Sequence, residues 1–123
     1  MVDNQDKALK FYTETLGFVK KNDIPMGEYR WLTVVSKEDP DGTELVLEPM
    51  GFEPSKVFQK ALFEAGIPCT ALQVDDIDAE YERLTGADVV FKAPPAAMGN
   101  VKFAMFQDTC GNNVQLYQVL SSV

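Results

Sequence analysis

Apolar side chains recur at helical spacing near the start of the chain, at Ala8, Leu9, Phe11, Tyr12 and Leu16, and the run stops at Gly17. Asp3 and Asn4 stand just before it, with side-chain oxygens suited to the free amides of a first turn, so the pattern predicts a capped helix over about 5–16. The period then changes to two. YRWLTVV at 29–35 is rich in aromatic and β-branched residues and predicts a strand, with Tyr29, Trp31, Thr33 and Val35 on one face and Arg30, Leu32 and Val34 on the other. A shorter strand over 18–22 precedes it, and Ile24-Pro25-Met26-Gly27 reads as a loop. After the turn signal Asp-Pro-Asp-Gly, a strand over 43–48 sets Glu44, Val46 and Glu48 on one face and Leu45 and Leu47 on the other.

The second half says the same thing again. A shift of 72 positions carries Val2-Asp3-Asn4 onto Val74-Asp75-Asp76 (74 − 2 = 72) and Tyr29-Arg30-Trp31 onto Val101-Lys102-Phe103. Gly42 meets Gly111 at a shift of 69, so one loop is three residues shorter in the second copy. Each copy reads as helix, strand, strand, turn, strand. In the second copy these are a helix over 77–84, strands over 89–92 and 101–107, and the segment DTCGNNVQLY at 108–117, with Pro94-Pro95 and Gly99-Asn100 as the loop. A strand over 69–74, with Cys69, Ala71 and Gln73 sharing a face, leads into it. Its counterpart in the first copy is reduced to Met1 and Val2, which predicts a truncated first strand and a sheet edge with unpaired backbone groups.

With 123 residues and 46% hydrophobic content, the chain suits one domain of two modules: module one over about 1–49, a linker helix within about 50–66, and module two over about 67–123. A formal charge of −8 with scattered Lys and Arg argues against a nucleic-acid partner. The expected partners are a small molecule and a second copy of the chain, as a homodimer. No apolar run approaches the length that spans a bilayer and no basic-then-apolar leader opens the chain, so no membrane partner and a cytoplasmic location are expected. Cys69 and Cys110 form no CxxC pair. Histidine is absent, which removes the commonest metal ligand and neutral-pH base along with every His-dependent nucleophile.

Taken together, two tandem βαβββ modules with VDNQD and FYTETLGF opening the first, and VDDID and DTCGNNVQLYQ in the second, resemble the vicinal oxygen chelate superfamily. That superfamily includes glyoxalase I, extradiol dioxygenases, fosfomycin-resistance thiol transferases and bleomycin-resistance proteins. The resemblance covers essentially the whole chain and implies an α+β fold in which a half-barrel sheet curls around a ligand cleft. Metal-dependent members take His and Glu ligands from the first and last strands of each module. Carried onto this sequence, those positions fall on Gln115 where Glu is usual, on Cys69 where His is usual, and on Glu44 or Val46; the fourth would precede Met1.

That donor set is poorly matched to a hard cation or to zinc. The favoured reading is therefore a protein that binds a small, partly apolar molecule in its cleft with no cofactor, using Trp31, Glu44, Glu48, Cys69, Phe103, Gln115 and Tyr117. Trp31 and Phe103 would stack on the ligand, Gln115 and Tyr117 would supply polar contacts, and Glu44 and Glu48 are candidate polar contacts or a base. The alternative is a divalent-metal-dependent lyase, isomerase or dioxygenase of the same superfamily.

Overall fold

Asn4 opens the first helix: its backbone is extended and its Oδ1 accepts the amide of Lys7 at 3.0 Å. Seventy-two positions on, Asp76 does the same for the helix Ile77–Gly86, its Oδ1 accepting the amide of Ala79 at 3.1 Å. The structure, a computed structural model, describes residues 1–120.

The chain folds as two compact units, one comprising Met1–Lys60 with Thr109–Gly111, the other Ala61–Asp108 with the segment that starts at Asn112. The first holds α1 (Gln5–Lys10) and a three-stranded antiparallel sheet in the order β1-β2-β3, from β1 (Val19–Met26), β2 (Tyr29–Val35) and β3 (Glu44–Val46). The helix α2 (Glu53–Glu64) follows. The second unit holds β4 (Thr70–Gln73), α3 (Ile77–Gly86), β5 (Ala96–Met98), β6 (Val101–Gln107) and β7 (Asn113–Val119), in the sheet order β4-β7-β6-β5 with β4 parallel to β7. These are two sheets of βαβββ type, as the resemblance implies.

The repeat survives in atomic detail. Thr33 pairs with Val46 in the first sheet and Met105 with Gln115 in the second, which are the same pairing under the shifts of 72 and 69. Arg30 pairs with Asp6, and its equivalent Lys102 pairs with Asp78 at 2.7 Å. Both hairpins turn on a left-handed glycine, Gly27 at φ 65° and Gly99 at φ 63°, a conformation that costs glycine nothing. The amide of Val74 donates to the Tyr117 carbonyl at 2.9 Å, and the amide of Val2 donates to Glu48 at 2.7 Å. Among the described residues that Val2 bond, with its single parallel bridge to Pro49, is the first unit's counterpart of β4, and β3 ends the three-stranded sheet.

Several elements differ from the sequence reading. The first helix is α only to Lys10 and continues as a π-helical turn over Phe11–Thr15, in which the Leu16 amide reaches five residues back to Phe11 at 3.0 Å. The loop expected at 24–27 is instead the end of β1, Pro25 included. Proline is tolerated because β1 lies at the sheet edge and its missing N–H takes nothing from the ladder; the facing Arg30 amide is accepted by the Gln5 side chain at 3.0 Å. A strand expected over 89–92 is reduced to the bridge between Phe91 and Phe106, while the expected loop supplies β5.

In each unit a helix covers one sheet face. Leu32 and Val34 are buried beneath Ala8 and the first helix; Ala104, Phe106, Val114 and Leu116 are buried on the side of Ile77 and Leu84. Each such large side chain contributes about 1.5–3 kcal/mol on leaving water. The opposite sheet faces are exposed in part, at Trp31 and Phe103 but not at Thr33 or Val35, and they carry the candidate ligand contacts.

Candidate functional site

In the first unit the uncovered face runs across Ile24, Trp31 and Glu48. Trp31 pairs with Ile24 on β1, and the Leu47 amide bonded to the Leu32 carbonyl at 2.9 Å sets Glu48 across from Trp31 on the other side. The indole is 43% exposed. One register step on, Thr33 is fully buried, and its hydroxyl donates to Glu44 Oε1 at 2.7 Å while accepting the amide of Asn22 at 3.2 Å. The Asn22 side chain donates to the same Glu44 oxygen at 2.8 Å. A bulge at Lys21 lets Asn22 face Thr33, so an irregularity that strand alternation does not reveal completes this polar group. The sequence reading placed Thr33 on this face and gave it no role, and it passed over Asn22; an asparagine inside a strand was the available signal.

In the second unit the register gathers three of the candidate residues. Phe103 pairs with Tyr117, Met105 with Gln115, and on the other side of β7 Ala71 pairs with Gln115 and Gln73 with Tyr117. Directly opposed side chains on one face lie about 5 Å apart at Cβ. Phe103, Gln115 and Tyr117 thus form one half-exposed patch with an aromatic edge, an amide and a phenol. Cys69 sits at the entry to β4, exposed, its amide donating to the Asn113 carbonyl at 2.9 Å. Desolvation at its sulfur, aided by the negative Asp108, pushes the thiol above the usual cysteine range, which disfavours the thiolate that a nucleophile or metal ligand requires.

Two open clefts lie elsewhere. One of about 460 Å³ is bounded by Gln5, Tyr29, Arg30 and Met50 in the first unit, and one of about 300 Å³ by Phe63, Val90, Lys92 and Met105 in the second. Neither is lined by Trp31 or Phe103.

The residues present do not fit the metal centre that the fold family implies. Among the described residues no three His, Cys, Asp or Glu side chains come together as a group that could hold an ion. The strand register puts Val46, an alkyl side chain, at the position equivalent to Gln115. Glu44 is one step away and already committed through Oε1 to Thr33 and Asn22. Among the described residues no helix is long and apolar enough to cross a membrane.

Comparison with known proteins bears on the family and the fold. Residues 1–116 match the family described as the Glyoxalase/Bleomycin resistance protein/Dioxygenase superfamily. The uncharacterized protein YurT of Bacillus subtilis (strain 168) is 52% identical over 117 residues, covering 95% of this chain and 92% of YurT. The crystal structure of UcmS2 superposes with a TM-score of 0.81 at 38% identity, covering 94% of this chain and 90% of that one. TnmS3, an antibiotic binding protein from Streptomyces sp. CB03234, superposes with a TM-score of 0.73 at 33% identity, covering 96% and 88%. With its duplicated sheet-and-helix units and a match over nearly its whole length, the chain belongs to the glyoxalase/bleomycin resistance protein/dioxygenase superfamily.

Proposed function

We propose that this protein binds a small, partly apolar molecule against its uncovered sheet faces, without a catalytic metal. The observation that carries this reading is the pair of aromatic side chains at repeat-equivalent positions, Trp31 and Phe103, each on the sheet face its helix leaves open. Aromatic faces supply apolar area at little entropic cost, and the neighbouring Gln115 and Tyr117 supply orienting polar groups. Antibiotic binding by the relative TnmS3 supports the same class of ligand. A cytoplasmic location is part of the proposal, supported by two cysteines, Cys69 and Cys110, that are not joined in a disulfide.

Nile red, a neutral apolar dye, tests the reading. Its emission is expected to rise on titration with protein while Trp31, the chain's one tryptophan, is quenched. Trp31→Ala and Phe103→Ala are each expected to weaken binding about tenfold. Failure of folded protein to change either emission, or tight stoichiometric uptake of a divalent metal, would sink it. A homodimer belongs to the same proposal, supported by the exposed side chains of Phe52, Val57 and Phe58. Sedimentation velocity at micromolar concentration is expected to show a dimer, and a monomer there overturns that part.

A further inference from the structure

Three matched positions are closed on themselves in the first unit and open in the second. In the first, Asn22 faces Thr33 across the ladder, and both donate to Glu44 Oε1, at 2.8 and 2.7 Å, so the three side chains satisfy one another. In the second, the register puts Met105 in the place of Thr33 and Asn113 in the place of Glu44; Lys92, whose amide donates to the Met105 carbonyl at 2.9 Å, takes the place of Asn22. A thioether is a weak hydrogen-bond partner, and this trio does not close. It lines the cleft of about 300 Å³ instead, with Phe63 and Val90 as apolar walls and the exposed Glu64 at the rim, and every lining residue belongs to the second unit. Asn113 is only 7% exposed, yet among the described residues its side chain makes one hydrogen bond, from Nδ2 to the Phe63 carbonyl at 3.3 Å, which leaves its second N–H and its Oδ1 without a protein partner. Gly66, also on the cleft wall, fixes where the Lys92 ammonium lies, because a Cβ built there would sit 3.3 Å from Nζ, and among the described residues no carboxylate pairs with that ammonium.

We propose that this cleft takes an organic carboxylate with an apolar body, its charged end between Lys92 and Asn113 and its body against Phe63, Val90 and Met105. In the first unit the chain supplies the carboxylate itself, from Glu44; in the second that place is left to a ligand. The ammonium gives a charge-assisted hydrogen bond, and the Asn113 amide, already largely desolvated, gains a partner it otherwise lacks. The cleft continues the second unit's uncovered face, since Met105 and Asn113 stand two residues from Phe103 and Gln115 on the same strands. Selection of an anion runs against the chain's net charge of −8, so it has to be made locally. This inference rests on the small-molecule-binding reading above and adds the chemical class that the second unit selects.

The test compares naphthoate with naphthamide, the same ring system with and without the charge, each titrated against the full chain by calorimetry. Naphthoate is expected to bind at least about tenfold tighter at low salt, and to move the Asn113 side-chain amide signal in nitrogen-proton correlation spectra. In Lys92→Gln, a change at an exposed position, that preference is expected to fall to within about threefold while naphthamide binding holds. Lys37→Gln changes net charge equally at an exposed position in the first unit and is expected to leave the preference unchanged. Equal affinity for the two compounds, loss of the preference in Lys37→Gln as complete as in Lys92→Gln, or an Asn113 amide that does not respond to bound naphthoate overturns the carboxylate assignment. If neither naphthalene compound binds while Nile red does, the cleft assignment alone fails; if Nile red fails too, the broader binding reading fails with it.

Discussion

Replacing Phe106 with alanine is expected to cost about 3–5 kcal/mol of unfolding free energy, the range for deleting a fully buried aromatic ring from a core that cannot close the space. Phe106 is 1% exposed on the second unit's covered face, its ring tilted against Phe91 at 5.6 Å between centroids, which in turn meets Tyr81 on α3 edge-on at 4.8 Å. Truncation therefore removes a transfer contribution, leaves a void, and deprives Phe91 of the contact that holds the isolated bridge at that position. Urea denaturation would show a lower midpoint with an unchanged slope. Phe106→Leu, which keeps most of the volume, is expected to recover more than half of the loss. A cost below about 1 kcal/mol for the alanine variant would mean that this core is far more plastic than close packing allows.

The second large effect is expected at Gly111. Its φ is 91°, in the left-handed region, and a Cβ placed there would lie 2.7 Å from Gln59 Oε1. Gln59 has nowhere better to go, because it is buried and its amide nitrogen donates to the Met1 carbonyl at 2.9 Å and the Cys110 carbonyl at 3.1 Å. Gly111→Ala combines backbone strain of about 1–2 kcal/mol with the disruption of buried hydrogen bonds worth about 1 kcal/mol each, for a loss of roughly 2–4 kcal/mol. Gly17 separates the two contributions. It has φ 92° with nothing within 4 Å of a built Cβ, so Gly17→Ala is expected to show the strain alone. Thermal melts of the two variants should differ by the Gln59 contribution, and Gln59→Ala in the Gly111→Ala background should recover part of it. Equal losses at both glycines would refute the role given to Gln59.

The parts of the fold that were legible in the sequence are those written in local chemistry and copied twice. The caps at Asn4 and Asp76, the hairpin glycines Gly27 and Gly99, and the matched ion pairs of Arg30 and Lys102 are all equivalent positions, and the sequence aligns them without reference to space. Less legible were features settled by distant partners. Pro25 reads as a loop residue until β1 is known to be an edge and Gln5 is known to satisfy the facing Arg30 backbone. The bulge at Lys21 depends on the Thr33 hydroxyl, eleven positions from Asn22, and nothing near Lys21 announces it. The segment at 94–98 looks like a loop because of its two prolines, yet Ala96–Met98 gains a strand's hydrogen bonds from β6.

The candidate site divides along the same line. Equivalence of Trp31 with Phe103, and of Val46 rather than Glu44 with Gln115, follows from arithmetic on the repeat and is what the two strand registers display. The engagement of Glu44 by Thr33 and Asn22 does not follow from it, because it needs the bulge. The same engagement separates Glu44 from Val46, the two positions the sequence leaves open: the acid one step from the Gln115-equivalent is a held carboxylate on the Trp31 face.

The exposed side of β3 has a consequence for how such chains behave when crowded. By the pattern of β7, where Asn113 and Tyr117 offer their carbonyls to the β4 side, the outward backbone groups of this strand belong to Glu44 and Val46, while just beyond it the Glu48 carbonyl already accepts the Val2 amide. A strand three residues long, bracketed by two glutamates and followed by Pro49, is a poor template for stacking: a second molecule added in register would bring like charges together and meet a residue with no donor. Those neighbours act as gatekeepers against fibril growth and keep concentrated protein from seeding on its own edge.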